Sequence, residues 1–180
     1  ELERRQKEQG SGEVRQHDVF LSHSTKNKTV ADAVCATLEG RGIRSRVAPR
    51  DIPAGANWGA AIIDGINASQ VMVVILTSDS NISPQVMREA ERAVNKGISI
   101  IPLRIEDIPL SKELEYFLSA AHWLDALTPP LQGHLDILAD RVKSLLSGEN
   151  VAPANQPAPK DLPVPAASPF NEPMVESSRP

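Results

Sequence analysis

Apolar positions along the chain follow two rhythms, and the change from one to the other marks its elements. Residues 71–76, Val-Met-Val-Val-Ile-Leu, form an unbroken apolar run rich in β-branched residues and too short for a helix. Such a run predicts a strand buried on both faces. The small polar residues Thr77, Ser78, Asp79, Ser80 and Asn81 break it and predict a loop. Ser83 and Pro84 then supply an N-cap and a proline at the first helical position. Residues 84–96 hold no helix breaker, and Gly97 stands just past the last turn as a stop. A second apolar run at 98–103 predicts the next strand. Strand, helix and strand in this order make a crossover unit of a parallel sheet, in which ligands bind outside the carboxyl ends of the strands.

The same rhythms recur on either side. Residues 17–22, His-Asp-Val-Phe-Leu-Ser, predict a short strand that runs into the polar stretch His23, Ser24, Thr25, Lys26 and Asn27. Val30, Ala33, Val34, Thr37 and Leu38 follow at helical spacing with Cys35 flanking the face, and Gly40 and Gly42 end the pattern. Residues 43–48 predict a second strand, whose alternating Arg44 and Arg46 place it near the sheet edge. A loop with Pro49, Pro53 and Gly55 leads to Asn57, which caps a helix carrying Trp58, Ala61, Ile62, Gly65 and Ile66 on one face. Beyond residue 103, Ser111 caps a short helix reaching Leu118, and residues 121–124 predict a fifth, short strand. Pro129 and Pro130 open a last helix with Leu131, Leu135, Leu138, Val142 and Leu145 on its core face. Five alternations of strand and helix predict an α/β fold, a flavodoxin-like doubly wound five-stranded parallel sheet with helices on both faces.

Composition adds boundaries and exclusions. The 180 residues allow one domain with tails. Residues 17–147 hold the periodic patterns. Residues 1–16 are charged and lack apolar periodicity, which predicts a disordered tail, and the absence of an initiator Met predicts an excised or processed piece. Residues 148–180, rich in proline with few large apolar residues, predict a disordered linker to a further module. A net charge of −4 with lysines and arginines spread through the helices argues against nucleic acid as a partner. No apolar run approaches the ~18–20 residues of a spanning helix, so no membrane segment is expected within this stretch. The single Cys35 excludes an intrachain disulfide or a cysteine metal cluster. It reads as core packing and fits a reducing, cytoplasmic setting.

Standard site signatures are missing from the sequence: there is no GxGxxG, GxSxG, HExxH or CxxC, and no phosphate loop with its lysine. His17, His23, His122 and His134 are scattered without ligand spacing, so structural or surface roles are expected and no metal site. A receiver or flavin-carrier reading fits the element order. The first strand, however, lacks a paired-acid site at its end, and no aromatic flavin clamp is evident.

What remains is a cluster set by position, namely the loops after the first, second and third strands. Three boxes in these regions carry a resemblance: Asp18-Val19-Phe20-Leu21-Ser22-His23, Arg50-Asp51-Ile52-Pro53-Ala54-Gly55, and His122-Trp123. In this order and spacing the sequence resembles the Toll/interleukin-1 receptor (TIR) domain family in its bacterial form. The family includes adaptor domains that only bind one another and enzymes that cleave NAD at the nicotinamide glycosidic bond. The resemblance implies an NAD⁺ glycohydrolase or cyclase that is activated by self-association and serves signalling or antiphage defence. NAD⁺ would be its substrate, with no separate cofactor. The alternative is a non-catalytic module for homotypic TIR–TIR contacts.

In the enzymes of the family one glutamate on the helix after the third strand is essential, and the matching position is Glu89. A carboxylate beside the ribose suits this chemistry, because bond cleavage builds an oxocarbenium-like centre and nicotinamide leaves neutral without a general acid. The competing reading of Glu89 is a solvated helix charge among Arg88, Glu91 and Arg92. Glu91 lies about 200° around the helix from Glu89, which predicts that both cannot face one cleft. Many NAD-cleaving members carry a tryptophan where this chain has Gln85, which offers hydrogen bonds but no stacking surface. Trp58 is the other candidate aromatic, and its place in the first turn of an amphipathic helix predicts a core or loop-anchoring role. Ser22, His23, Ser24 and Lys26 either meet substrate phosphates and hydroxyls or form a solvated turn. Arg50 and Asp51 either bind substrate or, with Ile52, Pro53, Gly55 and Trp58, build the self-association surface that the family's second loop commonly forms.

Overall fold

The computed structural model describes residues 17–148 apart from 49, 53 and 56. The expected tails, 1–16 and 148–180, lie outside the described residues except for Gly148, which caps the last helix. In chain order the elements are β1 (Val19–Ser22), a 3-10 turn (Thr25–Asn27), α1 (Lys28–Gly40), β2 (Ser45–Val47), α2 (Trp58–Asn67) and β3 (Val71–Leu76). They continue with α3 (Ser78–Asn81), α4 (Pro84–Asn95), β4 (Ser99–Arg104), α5 (Lys112–Leu118), β5 (Leu124–Asp125) and α6 (Leu131–Ser147). The five strands form one parallel sheet in the order β2-β1-β3-β4-β5, the flavodoxin-like arrangement expected. β2 takes an edge, in keeping with its alternating arginines.

Strand β3 shows why helices cover both faces. Its six residues are all buried, and successive side chains point to opposite sides. Val71, Val73 and Ile75 join a core with Val34 and Leu38 of α1 and with Leu135, Leu138 and Val142 of α6. Met72, Val74 and Leu76 join a second core with Ile66 of α2, Val86, Ala90 and Ala93 of α4, and Leu114 and Leu118 of α5. Ala90 and Ala93 are fully buried, and their small side chains seat α4 close on the sheet. Gly65 has a steric reason: a Cβ there would stand 2.7 Å from Arg46 Nε and 3.1 Å from Phe20 Cε2.

Two local expectations change. Residues 77–81 are a closed helical turn and not an open loop: the Thr77 side chain accepts from Ser80 N–H at 3.2 Å, and Ser80 Oγ accepts from Thr77 N–H at 2.8 Å. This reciprocal capping satisfies the backbone donors that a loop would turn to solvent. The fifth strand is Leu124–Asp125, where 121–124 was expected. It is set by Ala126 N–H donating to Arg104 O at 2.8 Å and by Arg104 binding both oxygens of Asp125. Cys35 is buried within the first core, the packing role expected of it. Among the described residues no helix is long and apolar enough to cross a membrane.

Phe20 is 2% exposed and bridges β1 to the α2 side of the sheet. Phe20→Ala is expected to destabilise the domain by about 3–5 kcal/mol, read as a lowered denaturation midpoint at constant slope.

Candidate active site

Helix α4 begins where Ser83 Oγ accepts from Val86 N–H at 3.4 Å, with Pro84 at its first position. From that start Val86, Ala90 and Ala93 face the sheet. Gln85 and Glu89, one turn apart, fall on the flank that meets the end of β1. Ser22, the last residue of β1, donates its hydroxyl to Glu89 Oε2 at 2.5 Å, and Gln85 Nε2 donates to Glu89 Oε1 at 2.9 Å. Glu89 is 3% exposed, the one buried carboxyl group among the described residues. The solvated-charge reading of Glu89 is therefore overturned. Burial pushes its pKa up, while the hydrogen bonds from Ser22 and Gln85 and the charge of Arg88 pull the other way. A carboxyl held in this way is costly to ionise in the resting protein. It also interacts strongly with any positive charge that develops beside it.

Glu89 lines the inner wall of a groove of about 560 Å³ between α2 and α4, within the range of about 300–1,000 Å³ common for small-molecule sites. Trp58, Ile62 and Ile63 form the α2 wall, and Gln85, Arg88 and Arg92 continue the α4 wall. Trp58 is 45% exposed along this groove, which corrects the core or loop-anchoring expectation: α2 turns its first residue across to α4 and not into the sheet. Glu91 also lines the groove, contrary to the expectation that the two glutamates exclude each other. The groove wraps far enough around α4 that Glu89 forms its floor and the exposed Glu91 its outer rim. Arg92 Nη2 donates to Asn67 Oδ1 at 3.2 Å, while its Nε is buried and has no hydrogen-bond partner.

The other anticipated residues stand elsewhere. His23 and Ser24 are buried, and Ser24 Oγ accepts from Lys26 N–H at 3.4 Å to cap the 3-10 turn. Burial lowers the His23 pKa and favours the neutral imidazole. Lys26 pairs with Asp79 at 2.8 Å, and Thr77 Oγ1 donates to Asn27 Oδ1 at 2.8 Å, so the loop after β1 is fastened to α3. In the second loop, Asp51 Oδ2 accepts from Val47 N–H at 2.8 Å. Arg50 bridges Glu39 at 2.7 Å and Asp51 at 3.0 Å. Ile52 is half-buried, Gly55 adopts a left-handed φ of 82°, and Pro53 lies outside the described residues. The fold thus joins Ser22, Gln85 and Glu89 directly; no hydrogen bond links Ser24, Lys26, Arg50 or Asp51 to Glu89. Sequence reasoning missed Ile62, Ile63, Arg88 and Arg92 as groove residues, although the spacing 85, 88, 89, 92 already marked one flank of α4. Among the described residues no three His, Cys, Asp or Glu side chains are grouped to hold a metal.

The flavodoxin-like sheet has known counterparts. The chain belongs to the TIR domain family, whose sequence profile matches residues 19–136. It is similar in structure to the TIR domain of the Toll-related receptor TRR-2 from Hydra magnipapillata, with a TM-score of 0.60 and 20% identity over 71% of this chain and 99% of that one. It is also similar to the RPS4 and RRS1 TIR domain heterodimer (TM-score 0.55, 14% identity, 71% of this chain and 96% of that one). A third similar structure is the CMP N-glycosidase BcmB of Clostridium botulinum (TM-score 0.52, 17% identity, 69% and 98% of the two chains). At these identities the likeness concerns the fold. No curated protein matches the chain.

Glu89 also gives a stability signature. Its folded pKa lies above the ordinary value of 4.5, so its contribution is fully present below that value and is lost as pH rises through the folded pKa. Glu89→Gln removes this loss. The variant is expected to gain stability over the parent from mildly acidic to neutral pH and to match it in acid, as read by urea unfolding at a series of pH values. Parallel pH profiles would show that burial does not perturb the carboxyl.

Proposed function

We propose that this TIR domain cleaves NAD⁺ at the nicotinamide–ribose bond. The observation that carries the reading is the buried Glu89 carboxyl, held by Ser22 and Gln85 on the wall of an open groove. In the proposed step the C1′–N bond breaks with its electron pair passing to the cationic nicotinamide ring, which departs neutral. The ribose is left as an oxocarbenium-like cation. Ionised Glu89 stabilises that cation in a site of low dielectric, and the Ser22 and Gln85 donors fix its oxygens. Water then adds at C1′ and releases a proton to give ADP-ribose, or a nitrogen of the adenine adds to give a cyclic isomer. BcmB, on the same fold, is an N-glycosidase of a different nucleotide, CMP.

Assembly is part of the proposal. The RPS4 and RRS1 TIR domains form a heterodimer, and homotypic pairing through the second loop would concentrate this domain beside its neighbours. A module beyond the linker at 148–180 would drive such clustering. The proposed setting is signalling or antiphage defence in a bacterial cytoplasm. A second reading, a TIR–TIR scaffold without catalysis, draws on Gln85 standing where an aromatic is common among the enzymes and on the second loop being braced by the Arg50 pairs with Glu39 and Asp51.

The deciding experiment is NAD⁺ turnover by the chain on a clustering scaffold, with products resolved. Glu89→Ala is expected to lower the rate by at least about 100-fold and Glu91→Ala to leave it near the parent, while Gln85→Ala, which removes one of the two donors to Glu89, is expected to lower it less than Glu89→Ala. Absence of turnover in every clustered form would leave the scaffold reading.

The pH dependence follows from the same group. Catalysis needs ionised Glu89, whose pKa is raised by burial, so kcat/KM is expected to climb with pH through a limb lying above the ordinary value of 4.5. A limb at the ordinary position would mean that another group controls the rate.

A further inference from the structure

The groove between α2 and α4 carries two cations that form no salt bridge: Arg88, whose charge acts on the nearby Glu89, and Arg92. Among the described residues Arg41, Arg44, Arg50 and Arg104 each pair with a carboxylate, whereas Arg46, Arg88 and Arg92 form no salt bridge, and of these three Arg88 and Arg92 stand on the groove. Both line the groove, three and seven residues beyond Gln85 on the same flank of α4. Arg92 is the sharper case, because its Nε is buried and unbonded while its Nη2 has only the neutral Asn67 Oδ1 at 3.2 Å. A buried guanidinium N–H without an acceptor is uncommon in a folded protein, and its fork geometry matches phosphate oxygens. Glu91, the acidic residue on this stretch of the wall, stands exposed at the outer rim. Facing the arginines, Trp58 is 45% exposed and Ile62 and Ile63 complete an apolar wall. An aromatic plane opposite two unpaired guanidinium groups, beside a single buried carboxyl, suits a ligand with a ring, a sugar and an anionic phosphate.

We propose that the α2–α4 groove is a nucleotide-phosphate subsite, in which Arg92 and Arg88 bind the phosphate oxygens and Trp58 stacks on the base. The inference rests on the NAD⁺-cleavage reading only for the identity of the nucleotide. It makes the enzyme selective for phosphorylated N-ribosides over free nucleosides. It also moves phosphate recognition away from the loop after β1, where Lys26 is already paired with Asp79. Trp58 supplies the aromatic surface that Gln85 lacks.

The test uses the whole chain carrying Glu89→Gln, so that binding is read without turnover. Calorimetric titration with ADP-ribose, adenosine and inorganic pyrophosphate is repeated with Arg92→Gln, Arg88→Gln or Trp58→Ala added. Loss of either arginine is expected to weaken ADP-ribose by about tenfold and to weaken pyrophosphate, leaving adenosine unchanged. Loss of Trp58 is expected to weaken ADP-ribose and adenosine alike. The Arg92 Nε–Hε resonance is expected to shift on addition of ADP-ribose and not of adenosine. ADP-ribose affinity indifferent to both arginines, or adenosine affinity lost in parallel with it, would overturn the subsite. Because this readout needs no catalysis, arginine-dependent ADP-ribose binding without NAD⁺ turnover in the clustered parent chain would overturn only the proposed reaction. Turnover with arginine-independent binding would overturn only the subsite.

Discussion

The double burial of β3 is the constraint from which the rest of the structure follows. A strand with no exposed face needs a helical layer on each side, and its alternating side chains divide the apolar residues between two cores. α1 and α6 close one face; α2, α4 and α5 close the other. Because α4 is the helix following β3, it packs beside β1 as well, and the end of β1 is brought against its second turn. The contact between Ser22 and Glu89, 67 residues apart in sequence, is a product of that packing.

Glu89 is the place where packing and chemistry meet. The same helix presents Val86, Ala90 and Ala93 to the core, and Glu89, three residues on from Val86, shares their side of the helix and is buried with them, whereas Glu91 on the other side is exposed. A carboxyl there is tolerated because Ser22 and Gln85 each donate to one of its oxygens. Neither donor carries a charge, and the positive charge that acts on the carboxyl is that of Arg88. In the proposed reaction the field of the carboxyl would act on the cation that forms at its edge, which differs from structural ion pairing. The structural pairs of the molecule, such as Arg104 with Asp125 and Arg41 with Asp136 and Asp140, lie at the periphery and tie elements together.

The carboxyl edge is closed on one side and open on the other. Lys26 with Asp79, Asn27 with Thr77, and Ser78 N–H with Glu106 bind the loops after β1, β3 and β4 into one polar network. Asn81 adds bonds to Pro109 O and Ser111 N–H. These contacts leave little freedom above β3. The approach to Glu89 runs instead along the helices, through the groove bounded by Trp58 and the unpaired arginines.

Most of the architecture was legible in local sequence. Apolar runs of strand length, helical spacing of the core positions, and caps at Asn57, Ser83 and Ser111 lie within a few residues of one another, and each acts through short-range geometry. The order of elements, the edge position of β2 and the standing of Glu89 on the helix after β3 follow from such signals. Burial, pairing and reach did not. Residues 77–81 look like a loop until Thr77 and Ser80 cap each other, and Trp58 looks like a core residue until α2 is laid against α4. A helix face records that a side chain is apolar or charged but not what stands across from it. The sequence by itself therefore determined the sheet and the helix that carries the carboxyl. Only the tertiary structure decided that this carboxyl is buried, that Ser22 and Gln85 hold it, and that Arg88 and Arg92 line a groove without forming a salt bridge. Each of those facts depends on packing between elements distant along the chain.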